Sequence, residues 1–172
     1  MRSIKIAFIT LLFAALVNAQ DMGKVDSVVQ KQIGETLTAY YAVTEAMIES
    51  DGDKASVKAA EIIAKFAAVD VAKMTALQKT TWEKLSASMK IDAEHIVENT
   101  DIEHQRGHFK KLSNNMYALV FGFKANETEA YLQYCPMKKA SWLSDKKEIR
   151  NPYYGNKMLD CGSVKATLKK NK

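Results

Sequence analysis

From Asp26 to Phe123 the apolar residues recur at three- and four-residue steps, and almost a hundred residues carry this rhythm with only short breaks. A chain so patterned must bury a stripe of each segment against its neighbours, which restricts it to packed amphipathic helices. The first segment presents Val29, Ile33, Leu37, Tyr40, Tyr41, Met47 and Ile48. Asp51-Gly52-Asp53 is a turn signal, and Asp53 is the expected cap of a second helix running through Val57, Ala60, Ile63, Ala67 and Val71. Thr75 with Gln78 has the spacing of a capping box opening a third helix through Leu77, Trp82, Leu85, Met89 and Ile96. Thr100 with Glu103 repeats that signature before a fourth, whose seam is Ile102, Gln105, Phe109, Leu112, Met116, Leu119 and Phe123. Short links make consecutive helices neighbours, so the expected fold class is all-α: an antiparallel four-helix bundle over residues 26–124. Residues 125–172 should pack on it as a C-terminal segment, irregular with short strands, within a single domain spanning residues 20–172.

The first twenty residues follow a different logic. Arg2 and Lys5 precede the apolar run of residues 6–17, and Val17-Asn18-Ala19 places small residues at a cleavage position. This reads as a signal peptide over residues 1–19, cleaved near Ala19, and implies a periplasmic or secreted protein. About 150 residues would remain, enough for one core. Of 25 basic and 20 acidic residues, cleavage removes two basic ones, and the net charge falls from +5 to +3. So small an excess in an exported chain argues against a nucleic-acid partner. No later segment approaches the roughly 20 apolar residues of a membrane span.

Chemistry concentrates in residues 131–162, which hold both cysteines and both prolines. Cys135 and Met137 are two apart around Pro136, which favours extended backbone and puts both side chains on one face. Met158 and Cys161 are three apart and end at Gly162, a helical-turn spacing. Two thiols and two thioethers make a soft donor set suited to copper(I), with silver as its analogue. A Cys135–Cys161 disulfide would serve equally well to staple an exported domain, and zinc held by both cysteines and His108 is a third option. His104 and His108 share a helix face four residues apart, and His95 reads as a surface residue. The six cations Lys138, Lys139, Lys146, Lys147, Arg150 and Lys157 read as a solvated face. The chain has no glycine-rich phosphate loop, no G-x-S-x-G and no H-E-x-x-H, so no enzymatic role is expected.

The CPM triplet at Cys135 to Met137, Trp142-Leu143, the EIRNPYYG run at Glu148 to Gly155 and M-x-x-C-G at Met158 to Gly162 occur in this order, downstream of R-x-H-F-x-x-L-S at Arg106 to Ser113. Across about residues 37–164 the chain resembles a bacterial exported domain of unknown function that occurs alone or attached to CusB-like adaptor subunits of heavy-metal efflux pumps. The resemblance implies a role in heavy-metal resistance, with a metal site at Cys135, Met137, Met158 and Cys161, and His108 as an extra donor. It also implies a periplasmic efflux adaptor as partner. The function expected on these grounds is buffering, chaperoning or handover of copper(I). The alternative is a metal-free interaction module stapled by the disulfide.

Overall fold

The computed structural model describes residues 21–170; the expected signal peptide lies outside the described residues. Four helices come first: α1 (Ser27–Glu49), α2 (Gly52–Ala67), α3 (Ala76–Glu98) and α4 (Ile102–Phe123). Three strands follow: β1 (Ala130–Cys135), β2 (Ala140–Ser144) and β3 (Ser163–Leu168). Each helix begins where a side-chain oxygen can take up an orphan amide. Asp26 accepts from the Val28 amide, Asp51 from that of Lys54 and Asp101 from that of His104. Thr75 and Gln78 form the expected reciprocal capping box.

Two of the expected caps move. Asp51 rather than Asp53 caps α2, which starts at Gly52 and so takes Asp53 into its first turn, and Asp101 rather than Thr100 caps α4, an aspartate carboxylate being the stronger acceptor. The buried stripe of α2 shifts as well, to Ala55, Ala59, Ile62 and Phe66, while Val57 is 62% exposed. Alanine-rich stretches carry little contrast between faces, so the period alone left the phase of this helix open. The seams of α1 and α4 are buried as expected, apart from the half-buried Tyr41 and Ile102.

Helix α1 packs on α2 and α4, and α3 packs on α2 and α4. The core between them includes Val29, Ile33, Tyr40, Met47, Ile62, Met89, Ile96, Phe109, Leu112, Met116 and Phe123, each at 0% exposure. Burying one such side chain stabilises by about 1.5–3 kcal/mol. The α1–α2 link is tight because Gly52 lies against the α3–α4 link, where a Cβ would stand only 1.9 Å from the Thr100 carbonyl oxygen.

The C-terminal segment is more regular than expected. It forms a three-stranded antiparallel sheet in the order β2-β1-β3, with Cys135 opposite Ala140 and Tyr134 opposite Ser163. The fold is therefore mostly helical with an added sheet, not all-α. Strand β2 leaves little trace in the sequence because Ala140-Ser141-Trp142-Leu143-Ser144 is short and does not alternate cleanly; Trp142 and Leu143 are both buried. Strand β2 packs on α4 and α1. The Tyr40 hydroxyl joins the layers, sharing a hydrogen bond with Ser113 on α4 (2.8 Å) and accepting one from the Leu143 amide (3.2 Å). Asn126, buried beyond α4, donates to the carbonyls of Thr128, Leu168 and Lys169 and so fixes where β3 ends.

Candidate metal centre

The strand that Pro136 interrupts ends at Cys135, and the turn of residues 136–139 returns the chain to β2. Strand β3 starts at Ser163, paired with Tyr134, so antiparallel pairing delivers Cys161 to the end of β1 where Cys135 sits. The two sulfurs stand 3.6 Å apart although 26 residues separate them in the chain, and neither cysteine is in a disulfide. Cys135 is fully buried and Cys161 half-buried.

The loop of residues 151–161 is held from three sides. Buried Asn151 donates to the Cys161 carbonyl (2.6 Å), accepts from the Tyr153 amide (2.8 Å), and its own amide donates to the Leu159 carbonyl (2.7 Å). Arg106 of α4, 4% exposed, donates to the Pro152 carbonyl (2.8 Å), to the Met47 carbonyl (2.9 Å) and Ser50 hydroxyl (2.9 Å) at the end of α1, and to Glu103 (2.6 Å). Arg150 Nη1 donates to both carboxylate oxygens of Glu45 (2.6 and 2.7 Å). Tyr153 donates to the Ser141 carbonyl and packs edge-on against Trp142.

Gly155 lets the loop approach this closely. Its φ is +55°, and an added Cβ would meet the Ser50 hydroxyl at 2.5 Å, the Ile48 carbonyl at 2.7 Å and Arg106 Nη2 at 2.9 Å. Gly155→Ala should therefore cost about 2 kcal/mol through left-handed strain and displacement of the loop. Chemical denaturation would register this as a lower midpoint with an unchanged slope.

The surroundings treat the two thiols unequally. Burial opposes ionisation of Cys135, but the Lys138 amide (3.5 Å), the Asn151 side chain, the Cys161 thiol and the Met137 amide outweigh it and hold this thiol below its ordinary value. Cys161 is pushed up by its hydrogen bond to Cys135, by burial and by the charge on Cys135. The two thiols thus differ, and Cys135 is the one whose surroundings favour ionisation. Lys138, whose backbone amide contacts the Cys135 sulfur, places its Nζ 3.4 Å from Glu103 and 4.9 Å from the centre of the Tyr154 ring. The cations of the segment are thus not all solvated, since Lys138 and Arg150 are tied to α4 and α1.

The two methionines differ in exposure. The backbone amide of Met137 faces both sulfurs, while its side chain is 62% exposed. Met158 is half-buried, and its carbonyl accepts from the Cys161 amide (3.4 Å). His108 lies elsewhere. Helix α4 turns Glu103, Arg106 and Lys110 toward the cysteine segment but His108 toward α3, where Nδ1 is 3.0 Å from Asp92 and the ring stacks on His95. His95, His104 and His108 bring ring nitrogens within 4.8 Å of one another. The i, i+4 spacing of His104 and His108 held half of this signal; the other half, His95, depends on how α3 and α4 align.

Residues 36–128 match the family described as "Protein of unknown function (DUF3347)", and the chain belongs to that family. The match covers most of α1 and all of α2 to α4, and it stops before the cysteine-bearing sheet. In the other two comparisons, no curated protein and no solved structure matches. Among the described residues, no helix is long and apolar enough to cross a membrane.

Proposed function

We propose that the chain is an exported metal-binding protein that holds one copper(I), or silver(I), at Cys135 and Cys161 for buffering or for handover to an efflux adaptor. One observation carries this reading: two free sulfurs from distant parts of the chain lie 3.6 Å apart in a setting that favours a thiolate. With metal–sulfur bonds of about 2.3 Å, sulfurs at this separation subtend about 103° at the ion. That angle is far from linear and calls for further donors. Met158, half-buried three residues before Cys161, and Met137, on the turn beside both sulfurs, are the thioethers in reach along the chain. In this reading the helices form an antiparallel bundle that serves as a rigid base, and binding releases thiol protons.

Metal that binds only the folded form raises stability by RT ln(1 + [L]/Kd), about 4 kcal/mol at a thousandfold excess over Kd. Anaerobic titration with cuprous ion should therefore raise the melting temperature with one ion per chain, and silver should do the same. Cys135→Ser combined with Cys161→Ser should abolish the shift. An unchanged shift in that double variant would remove the site.

The same proximity favours a second reading, in which the cysteines oxidise to a disulfide stapling β1 to β3 in an interaction module. Closing a loop of this length stabilises by about 3–4 kcal/mol in the chain-entropy model. Thiol counting on protein taken from its native compartment separates the two: no free thiols supports the staple, two supports the metal.

A further inference from the structure

We propose that His95, His104 and His108 form a second metal site, separate from the sulfur pair, that takes a divalent first-row ion of the zinc or copper(II) class through three imidazoles. The three-residue link 99–101 places the last turn of α3 beside the first turns of α4. His95 comes from the former; His104 and His108, four apart and therefore on one face, come from the latter. The ring centres of His95 and His108 are 4.3 Å apart, those of His104 and His108 are 4.9 Å apart, and one nitrogen from each ring falls within 4.8 Å of the others.

A second observation singles out these residues. Asp92, one turn before His95 on α3, is only 4% exposed and places Oδ1 3.0 Å from His108 Nδ1. The carboxylate accepts, so Nδ1 carries the proton and the lone pair of Nε2 is free for an ion. A carboxylate holding the far nitrogen of a ligand histidine is the arrangement that orients imidazole toward metals and raises its basicity. Glu98, 3.9 Å from His95 Nδ1, adds negative charge beside the cluster.

Zinc–nitrogen bonds of about 2.0–2.1 Å put the nitrogens of a tetrahedral site roughly 3.3–3.4 Å apart. His95 and His104 are exposed, so their rings can turn to reach that spacing, and His95 must swing out of its stack on His108 to aim its lone pair at the same ion. Three ligands leave a fourth position facing solvent, open to water or to a donor from another molecule. Imidazole suits zinc and copper(II), whereas the sulfur pair suits copper(I), so the two sites sort ions by oxidation state and softness.

The test uses the full chain carrying Cys135→Ser and Cys161→Ser, so that neither thiol takes part. Zinc and copper(II) are titrated by calorimetry, and cobalt(II) by its visible absorption. One ion per chain is expected, with tetrahedral cobalt bands. His104→Ala or His95→Ala should weaken binding at least tenfold, and Asp92→Asn by 10–100-fold although Asp92 touches no ion. Both exposed histidines can be replaced without loss of fold, which circular dichroism would verify. Equal affinity for zinc and copper(II) with and without His95 and His104 would overturn the site, as would an absence of binding in the parent chain.

Discussion

Replacing Arg106 with alanine should destabilise the protein by about 3–5 kcal/mol, since removing one partner from a buried charged network strands the rest. At 4% exposure this guanidinium satisfies the Pro152 and Met47 carbonyls, the Ser50 hydroxyl and Glu103. The Met47 carbonyl belongs to the last turn of α1, where orphan carbonyls gather and a cation is favoured. For a chain of this size the melting temperature should fall by on the order of 10 °C. Arg106→Lys should recover little, because a single ammonium cannot match a planar fork spanning an α1 carbonyl, a loop carbonyl and a carboxylate. Glu103→Gln should be mild, because the Glu103 side chain is 54% exposed and water replaces what it loses. Thermal melts of the three variants give the ranking; a lysine variant as stable as the parent would show that charge alone, not the fork, matters here.

The same change should loosen the sulfur pair. Arg106 holds Pro152, and Asn151 beside it holds the carbonyl of Cys161, so releasing the first frees the second. The R-x-H-F motif thus joins two roles. Its arginine fastens the loop, and its histidine faces the opposite helix and Asp92.

How much of this was legible in the sequence follows from the range of each interaction. The helices, the Thr75–Gln78 capping box and the seams of α1 and α4 depend on residues three or four apart, which the chain displays directly. The face of α2 was not legible, because its alanines differ too little in hydrophobicity to fix the phase. Cys135 and Cys161 stood out by residue type, but their approach depends on β1–β3 pairing, whose partner strand carries only a faint alternation. His95 was hidden for a similar reason: its value lies in the register between α3 and α4, and register is a property of packing. Gly155 could be flagged as a turn residue, yet the clash that requires it involves Ser50, Ile48 and Arg106, all remote in sequence.

Stability should collapse in alkali, because buried tyrosine hydroxyls bind strand β2 to α1 and to the loop that follows it. Tyr40 is pushed up to about 12 by burial, against the opposing hydrogen bonds of Ser113 and the Leu143 amide. Burial and the neighbouring Tyr40 raise Tyr153 well above its ordinary value, and burial raises Tyr41 too. In the unfolded chain each ionises near pH 10, so above that pH the unfolded state binds fewer protons than the folded one. Below pH 10 the tyrosines cost nothing by titration. As pH rises from 10 toward 12, each fully buried tyrosine removes about 1.4 kcal/mol per pH unit, and Tyr40 with Tyr153 about 3 kcal/mol per unit. Urea midpoints measured at intervals from pH 8 to 11.5 should be flat and then fall steeply. Tyr40→Phe separates the two roles of this hydroxyl. At neutral pH it should cost about 1–3 kcal/mol, because the Leu143 amide loses its acceptor. Above pH 10 its decline should be shallower than the parent's by about 1.4 kcal/mol per pH unit, and the two stability curves should converge. If Tyr40→Phe and Tyr153→Phe both keep the parent's slope, the alkaline loss arises from other groups, and the phenols are not what ties sheet to helix through their protons.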